Sequence, residues 1–148
     1  MKKSQRLQVV VDIKARQEKH ALDILGHSQR QHTELKQQIH GLTLYRKDYV
    51  DKCNAFARNG VKVSRLVEFR SFIDKLDIAI AGQEKVLTRM EQDVLANRQL
   101  WEGMHQRTRI IRKVRDTALK TEKKIEEKRE QLEHDERASR FGRNKPTD

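Results

Sequence analysis

The chain has 148 residues and a net charge of +11, and 37% of its residues are charged while 35% are hydrophobic. So polar a chain, with one proline and few aromatic residues, cannot build the thick core of a compact globule. Its composition is typical of a long-helix or coiled-coil protein. Disorder is the competing interpretation, but the regular spacing of the apolar residues argues against it over most of the length.

The expected cellular compartment follows from the targeting and membrane segments that the sequence lacks. The N-terminus is basic without a continuous apolar segment, and no stretch approaches 18 apolar residues, so we expect no signal peptide and no membrane span. Cys53 is the single cysteine, which excludes an intrachain disulfide and favours a reducing compartment. The positive charge is compatible with nucleic acid, an acidic membrane surface or an acidic protein partner.

The first predicted element is a helix over about 5–58. Its apolar residues alternate at spacings of three and four, which is the period of a coiled-coil seam. The seam positions are Val11, Lys14, Glu18, Ala21, Leu25, Ser28, His32, Leu35, Ile39, Leu42, Arg46, Tyr49, Cys53 and Phe56. Polar residues interrupt this seam around 14–20 and 26–34.

A turn is predicted over 59–65. Gly60 can take the left-handed conformation that closes a helix. Ser64 is the expected N-cap of the next helix, because its hydroxyl can accept a hydrogen bond from a free backbone N–H. So short a connection predicts that the two helices fold back antiparallel.

The second predicted helix, about 66–137, carries the stronger seam. Its positions are Phe69, Ile73, Leu76, Ile80, Gln83, Leu87, Met90, Val94, Asn97, Trp101, Met104, Thr108, Ile111, Arg115, Ala118, Glu122, Ile125, Arg129 and Leu132. At 1.5 Å per residue, such a helix is roughly 105 Å long. A shape of this kind cannot wrap around an active site, so we expect function to follow from shape and ends, and we expect no enzyme.

Antiparallel pairing predicts a register in which the numbers of facing residues add up to about 124. Phe56 then faces Phe69, and the apolar residues near the chain ends also meet: Val9, Val10, Val11 and Ile13 with Ile110, Ile111 and Val114. Apolar side chains therefore meet apolar side chains near the turn and near the chain ends. The predicted fold is all-α: a long antiparallel two-helix coiled coil with an overhanging C-terminal helix, forming one domain over 1–148.

The overhang is predicted over 120–137, because the first helix runs out opposite about residue 119. A flexible tail is expected over 138–148, which contains Gly142 and Pro146. Ile125 and Leu132 stay on the seam within the overhang and could recruit a second copy. The sequence therefore does not decide whether the protein is a monomer or a dimer.

No motif for catalysis, cofactor binding or metal binding is present. There is no glycine-rich phosphate loop, the six histidines lack the spacing of a zinc site, and no Cys/His cluster exists. We therefore predict no catalytic residue, no cofactor, no metal and no small-molecule substrate.

A basic cluster is the first candidate binding site. It comprises five positive residues without an acid among them: Arg107, Arg109, Arg112, Lys113 and Arg115. It is either a solvated face or a docking patch for an acidic protein surface. Nucleic acid is disfavoured, because no stacking aromatic residues or groove-fitting element accompany the charge.

An apolar band near the turn is the second candidate. Phe72 widens the seam there beside Phe69, Ile73 and Leu76. Packing of the hairpin end against Tyr45, Tyr49 and Phe56 explains the band. The alternative is a partly exposed patch that another protein recognises.

The residues around the turn resemble the FliJ family of flagellar export proteins. The resemblance covers roughly 40–104 in detail and the remainder by length, charge and two-helix layout. The residues that carry it are Tyr45, Tyr49, Gly60, Phe69, Phe72, Ile73, Leu76, Ala79, Ile80, Val94 and Trp101.

The resemblance implies a soluble stalk and escort component of the flagellar type III export apparatus. Its implied partners are the hexameric export ATPase, the cytoplasmic part of the membrane export gate, and substrate chaperones. The implied location is cytoplasmic, with peripheral association at the inner face of the cell membrane through these partners. The implied gate contact falls on Phe72 and Leu76, and we assign the ATPase contact to the basic cluster.

Three alternatives accompany this prediction. The equivalent stalk protein of a virulence type III secretion system would have nearly the same sequence features. A basic nucleic-acid-binding coiled coil would bind in a steeply salt-dependent way. A generic dimeric structural coil would differ in solution mass.

Overall fold

Two α-helices make up the computed structural model, which describes residues 1–144. Helix α1 spans Lys3–Arg58 and helix α2 spans Val63–Arg143, with no strand among the described residues. The helices run antiparallel and pack against each other. The predicted all-α antiparallel two-helix coiled coil is therefore confirmed. Within 1–144, neither helix has the apolar stretch needed to cross a bilayer.

Contacts group the chain into two compact units. The turn unit, Lys19–Glu102, contains the turn and the helix segments next to it. The terminal unit combines Met1–Glu18 with Gly103–Asp148. Each helix contributes to both units, and the single domain proposed from the sequence stays a prediction.

The turn is closed by backbone geometry at Gly60. Its φ is +75°, in the left-handed region where a side chain would be strained. The N–H of Val61 donates to the carbonyl of Phe56 at 3.3 Å, which satisfies one of the free carbonyls at the end of α1. The predicted role of Gly60 is confirmed.

Helix α2 begins earlier than the sequence predicted. Its first residue is Val63 instead of about 66, so the turn covers only 59–62. The carbonyl of Lys62 accepts the first helical hydrogen bond, from the N–H of Leu66 at 3.3 Å. Lys62 therefore occupies the capping position, and the prediction of Ser64 as N-cap was wrong because Ser64 already lies inside the helix.

Helix α2 also ends later than predicted. It continues through Arg143, so residues 138–143 are helical where a flexible tail was expected. No proline occurs in this stretch, so each residue can extend the helix by one more hydrogen bond. Residues 145–148 lie outside the described part of the chain.

Burial follows the predicted seam. Every predicted seam position of α1 except Phe56 is buried or partly buried, and the same holds for α2 from Phe69 to Glu122. Beyond Glu122 the seam residues Ile125 and Leu132 are exposed. The overhang predicted for the C-terminal helix is thus confirmed, and in this structure it begins just after Glu122.

The register is the one predicted. Near the turn the rings of Phe56 and Phe69 stack with their centres 5.4 Å apart. Near the chain ends the backbone N–H of Ser4 donates to Glu122 Oε1 at 3.0 Å. The residue numbers of each pair add up to about 124, as expected for helices that meet in one antiparallel register.

One predicted contact differs in the structure. Val11 and Ile111 lie in the seam, but Val10, Ile13 and Val114, with their neighbours Val9 and Ile110, remain exposed. The seam alternates every three and four residues, so consecutive apolar residues cannot all point at the partner helix. Of the residues predicted to meet here, only Val11 and Ile111 therefore lie in the seam, and the others lie beside it.

A polar cluster interrupts the seam in the terminal unit. Glu18 Oε1 lies 2.5 Å from His105 Nδ1, and Thr108, which is fully buried, donates its hydroxyl hydrogen to the carbonyl of Met104. Burial acts to raise the pKa of Glu18. Hydrogen bonds with His105 and Thr108, together with the positive charges of His105 and Arg112, outweigh it and hold that pKa below its ordinary value.

A second polar layer lies in the turn unit. The side-chain amide of Asn97 donates to the hydroxyl oxygen of Ser28 at 3.2 Å, and His32 Nε2 lies 3.3 Å from Glu91 Oε1. A polar pair inside a seam is satisfied only when its two members face each other. The pair of Ser28 and Asn97, both at seam positions, therefore discriminates against registers that are shifted by one heptad.

Acid should destabilise the helix pair through Glu18. Its pKa is lowered from the ordinary 4.5, so its contribution is complete above that value and is lost as the pH falls through the pKa of the folded state. Urea unfolding followed by circular dichroism should show a smaller loss of stability between neutral pH and about pH 3 in Glu18→Gln than in the unchanged chain. Glu34→Gln, at an exposed position of α1, should retain the full loss.

Seam burial predicts a contrast between two neighbouring residues of α2. Leu76 is 8% exposed and Ile78 is 74% exposed. Leu76→Ala should lower the free energy of unfolding by about 2 kcal/mol, the low end for a buried leucine, because a two-helix seam is thin. Ile78→Ala should change it by less than about 0.5 kcal/mol. Equal effects in urea unfolding would contradict the assigned seam.

Candidate docking surfaces

The basic cluster lies in the terminal unit, on α2. Arg107, Arg109 and Lys113 are exposed, and none of them forms an ion pair within residues 1–144. These three side chains are available to an acidic partner. They do not share one face, because Arg109 and Lys113 are one helical turn apart and lie next to each other, whereas Arg107 points away from both.

The two remaining members of the basic cluster have roles within the helix pair. Arg115 occupies a seam position, where Nη1 donates to the amide oxygen of Gln8 at 2.9 Å and Nη2 to Asp116 at 2.8 Å. Arg112 contributes to the positive charge that lowers the pKa of Glu18. The five residues that the sequence groups into one candidate site are therefore divided between solvent and the helix pair.

An aromatic cluster lies next to the turn, in the turn unit. Phe72 is partly buried, and its ring centre is 4.6 Å from that of Tyr49 and 6.3 Å from that of Tyr45. Phe69 lies against Tyr49 and Phe56. Edge-to-face and tilted arrangements at these distances are favourable for aromatic pairs. Packing at the hairpin end thus accounts for most of the predicted apolar band.

Leu76 and Phe72 differ in their access to solvent. Leu76 is 8% exposed and belongs to the seam, so it offers little surface to a partner. Tyr45 is 51% exposed, and it is not among the site residues predicted from the sequence. Tyr45 could have been recognised in the sequence by its position next to the seam residue Arg46, because that position places it at the edge of the helix pair.

Charge also borders the aromatic cluster. The guanidinium of Arg46 donates to the carboxylate of Asp77 across the helix pair, and this contact raises the pKa of Arg46. The pair bridges the two helices at the end of the aromatic cluster nearer Leu76. A partner that docks on Tyr45 and Phe72 would therefore meet an apolar surface beside a neutralised ion pair.

Concave sites are shallow. An open depression of about 350 Å³ lies between the start of α1 and α2, lined in part by Lys3, Val114, Thr117 and Thr121. Among the described residues, no group of three or more His, Cys, Asp or Glu side chains is arranged to hold a metal ion. The geometry fits docking of another macromolecule better than binding of a small substrate.

Comparison with known proteins identifies the family of this chain. A family model described as "Flagellar FliJ protein" matches residues 2–147. A flagellar FliJ protein from Salmonella typhi is 25% identical over 140 residues, and the alignment covers 95% of each chain. No solved structure matches this chain. Because the family model extends over nearly the whole sequence, the resemblance seen around the turn is confirmed, and the chain belongs to the FliJ family of flagellar proteins.

Proposed function

We propose that this chain is a non-enzymatic stalk and escort component of flagellar protein export. In this role it binds the hexameric export ATPase through the terminal unit and the cytoplasmic part of the export gate through the turn unit. It stays in the cytoplasm and associates peripherally with the inner face of the membrane through these partners. The observation that supports this proposal is a pair of distinct exposed surfaces, one cationic and one aromatic, on different units of a family member.

The proposed ATPase contact rests on the exposed part of the basic cluster. Arg107, Arg109 and Lys113 form no ion pair within residues 1–144. An acidic partner can therefore pair with them without reducing the stability of the helix pair. Opposite charges on the two partners would also accelerate their encounter. Arg112 and Arg115 contribute to the contact mainly by holding α2 in register.

The proposed gate contact rests on the aromatic cluster. Phe72 and Tyr45 present ring surface at the edge of the helix pair, and aromatic side chains are common anchors of protein interfaces. Leu76 belongs to the same proposal as the buried residue that holds Phe72 in place. The role with substrate chaperones is supported only by the family resemblance.

Among the alternatives, the flagellar role is favoured over a virulence secretion system, because both the family model and the Salmonella typhi relative are flagellar. Nucleic-acid binding is disfavoured by the geometry. The exposed cations of the basic cluster fall on different sides of α2, and the aromatic residues that could stack on bases belong to the other unit.

Charge reversal should identify the ATPase contact. The triple variant Arg107→Glu, Arg109→Glu, Lys113→Glu should bind the hexameric ATPase about tenfold more weakly at fixed ionic strength, because each lost surface contact contributes up to about 1 kcal/mol. Binding is measured by calorimetry with the purified hexamer, and circular dichroism checks the fold.

The matched control changes the same net charge in the turn unit. Lys36→Glu, Lys47→Glu, Arg65→Glu replaces three exposed cations and should retain most of the affinity. Equal weakening by both triple variants would show that net charge alone matters, and it would remove the basic cluster as a specific contact.

Truncation of one ring should identify the gate contact. Phe72→Ala should weaken binding to the isolated cytoplasmic part of the gate about tenfold, as expected for an aromatic anchor, and should reduce export in motile cells. Tyr45→Ala should act in the same direction, because its exposed ring borders Phe72. The helix content of both variants should stay close to that of the unchanged chain.

Val67→Ala is the control for this experiment, since Val67 is 60% exposed and also lies in the turn unit. It should leave gate binding unchanged. Normal export by cells that carry Phe72→Ala would exclude the aromatic cluster as the gate contact.

A further inference from the structure

A cationic tip ends the helix pair at the turn, and its charged side chains have no role in the proposed function. We define the cationic tip as residues 58–70, which comprise the end of α1, the turn and the first two helical turns of α2. It contains four basic residues and one acidic residue: Arg58, Lys62, Arg65, Arg70 and Glu68. All five are exposed, and none of them forms an ion pair within residues 1–144.

The cationic tip accounts for the whole net charge of the turn unit. Outside the tip, the turn unit, Lys19–Glu102, holds ten basic and ten acidic residues. One of these charge pairs, Arg46 with Asp77, is formed directly between the helices. The positive charge is therefore concentrated at the turn, on the end of an otherwise neutral helix pair.

Two apolar side chains project from the same end. Val63, the first residue of α2, is 76% exposed, and Val67 is 60% exposed. They are four residues apart, so they are neighbours on one face of α2, and Arg70 follows on that face. The cationic tip thus combines an exposed apolar pair with four unpaired cations.

We propose that the cationic tip binds directly to an anionic membrane surface. The cations lie among the phosphate groups of the lipids, and Val63 and Val67 enter the boundary between headgroups and acyl chains. Each Lys or Arg near an anionic surface strengthens such binding about fivefold. This contact goes beyond the proposed function, in which the protein reaches the membrane through its protein partners.

The size of the tip favours a membrane over an acidic protein as the occupant. Two helices, each about 10 Å across, end in a face of roughly 200 Å². A stable interface between two proteins buries about 800 Å² on each partner. A lipid surface has no such threshold, because headgroups rearrange around the tip and the attraction adds up over its cations.

Cosedimentation of the purified full-length chain with vesicles tests this contact at about 0.1 M salt. The unchanged chain should bind vesicles that contain equal parts of phosphatidylglycerol and phosphatidylcholine, and it should not bind vesicles of phosphatidylcholine alone. Arg58→Gln, Lys62→Gln, Arg65→Gln should weaken binding to the mixed vesicles about a hundredfold, at about fivefold for each lost cation.

A second variant tests the apolar part of the contact. Val63→Gln, Val67→Gln should weaken binding to the mixed vesicles by at least about tenfold, because both side chains leave water when the tip is bound. All substituted residues are exposed, so both variants should keep the circular dichroism spectrum of the unchanged chain.

Matched controls change the turn unit outside the tip. Lys47→Gln, Lys52→Gln, Lys75→Gln removes the same charge from three exposed positions and should weaken binding less than about fivefold. Ile78→Gln, Leu95→Gln removes two exposed apolar side chains and should leave binding unchanged.

The terminal unit is also basic, so a third control replaces the exposed members of the basic cluster. Arg107→Gln, Arg109→Gln, Lys113→Gln should likewise retain most of the affinity for the mixed vesicles.

Two results would overturn direct membrane binding by the tip. The first is an unchanged chain that stays in the supernatant with the mixed vesicles, including one whose tip instead binds an acidic protein. The second is weakening by either control triple that equals the weakening by the tip triple. No export component is present in this experiment, so its failure would leave the proposed ATPase and gate contacts unaffected.

Discussion

The alternation of apolar residues at spacings of three and four, paired with an antiparallel copy of the same pattern, is the constraint on which the structure depends. Two helices can bury only one narrow strip between them, so little free energy separates the correct register from its neighbours. Polar pairs between the helices increase this free-energy difference. Glu18 with His105 and Ser28 with Asn97 are satisfied only when facing each other, and each therefore penalises a shifted register.

So thin a fold cannot cover all of its apolar side chains. Ile78, Leu100 and Val114 are exposed although they are as apolar as the residues of the seam. In a compact domain a further layer would cover such residues. Here they are open to partners.

The candidate sites show where linear proximity misleads. The basic cluster is compact in sequence, yet the helix distributes its members, and Arg115 serves the seam through Gln8 and Asp116. Phe72 and Leu76 are one turn apart and were assigned together, but only Phe72 offers surface. A residue's place on the heptad could have separated these cases. The position of the second helix was needed to confirm them.

By itself the sequence determined the helices, the turn at Gly60, the register and the seam, because these depend on periodicity and on local backbone preference. It misjudged both ends of α2, since Lys62 caps the helix without a recognisable capping side chain and nothing stops it before Arg143. Only the tertiary structure decided which apolar residues stay open. Exposure at Tyr45, Val10 or Leu132 depends on where the other helix lies and where it ends, and periodicity within one helix carries no information about either.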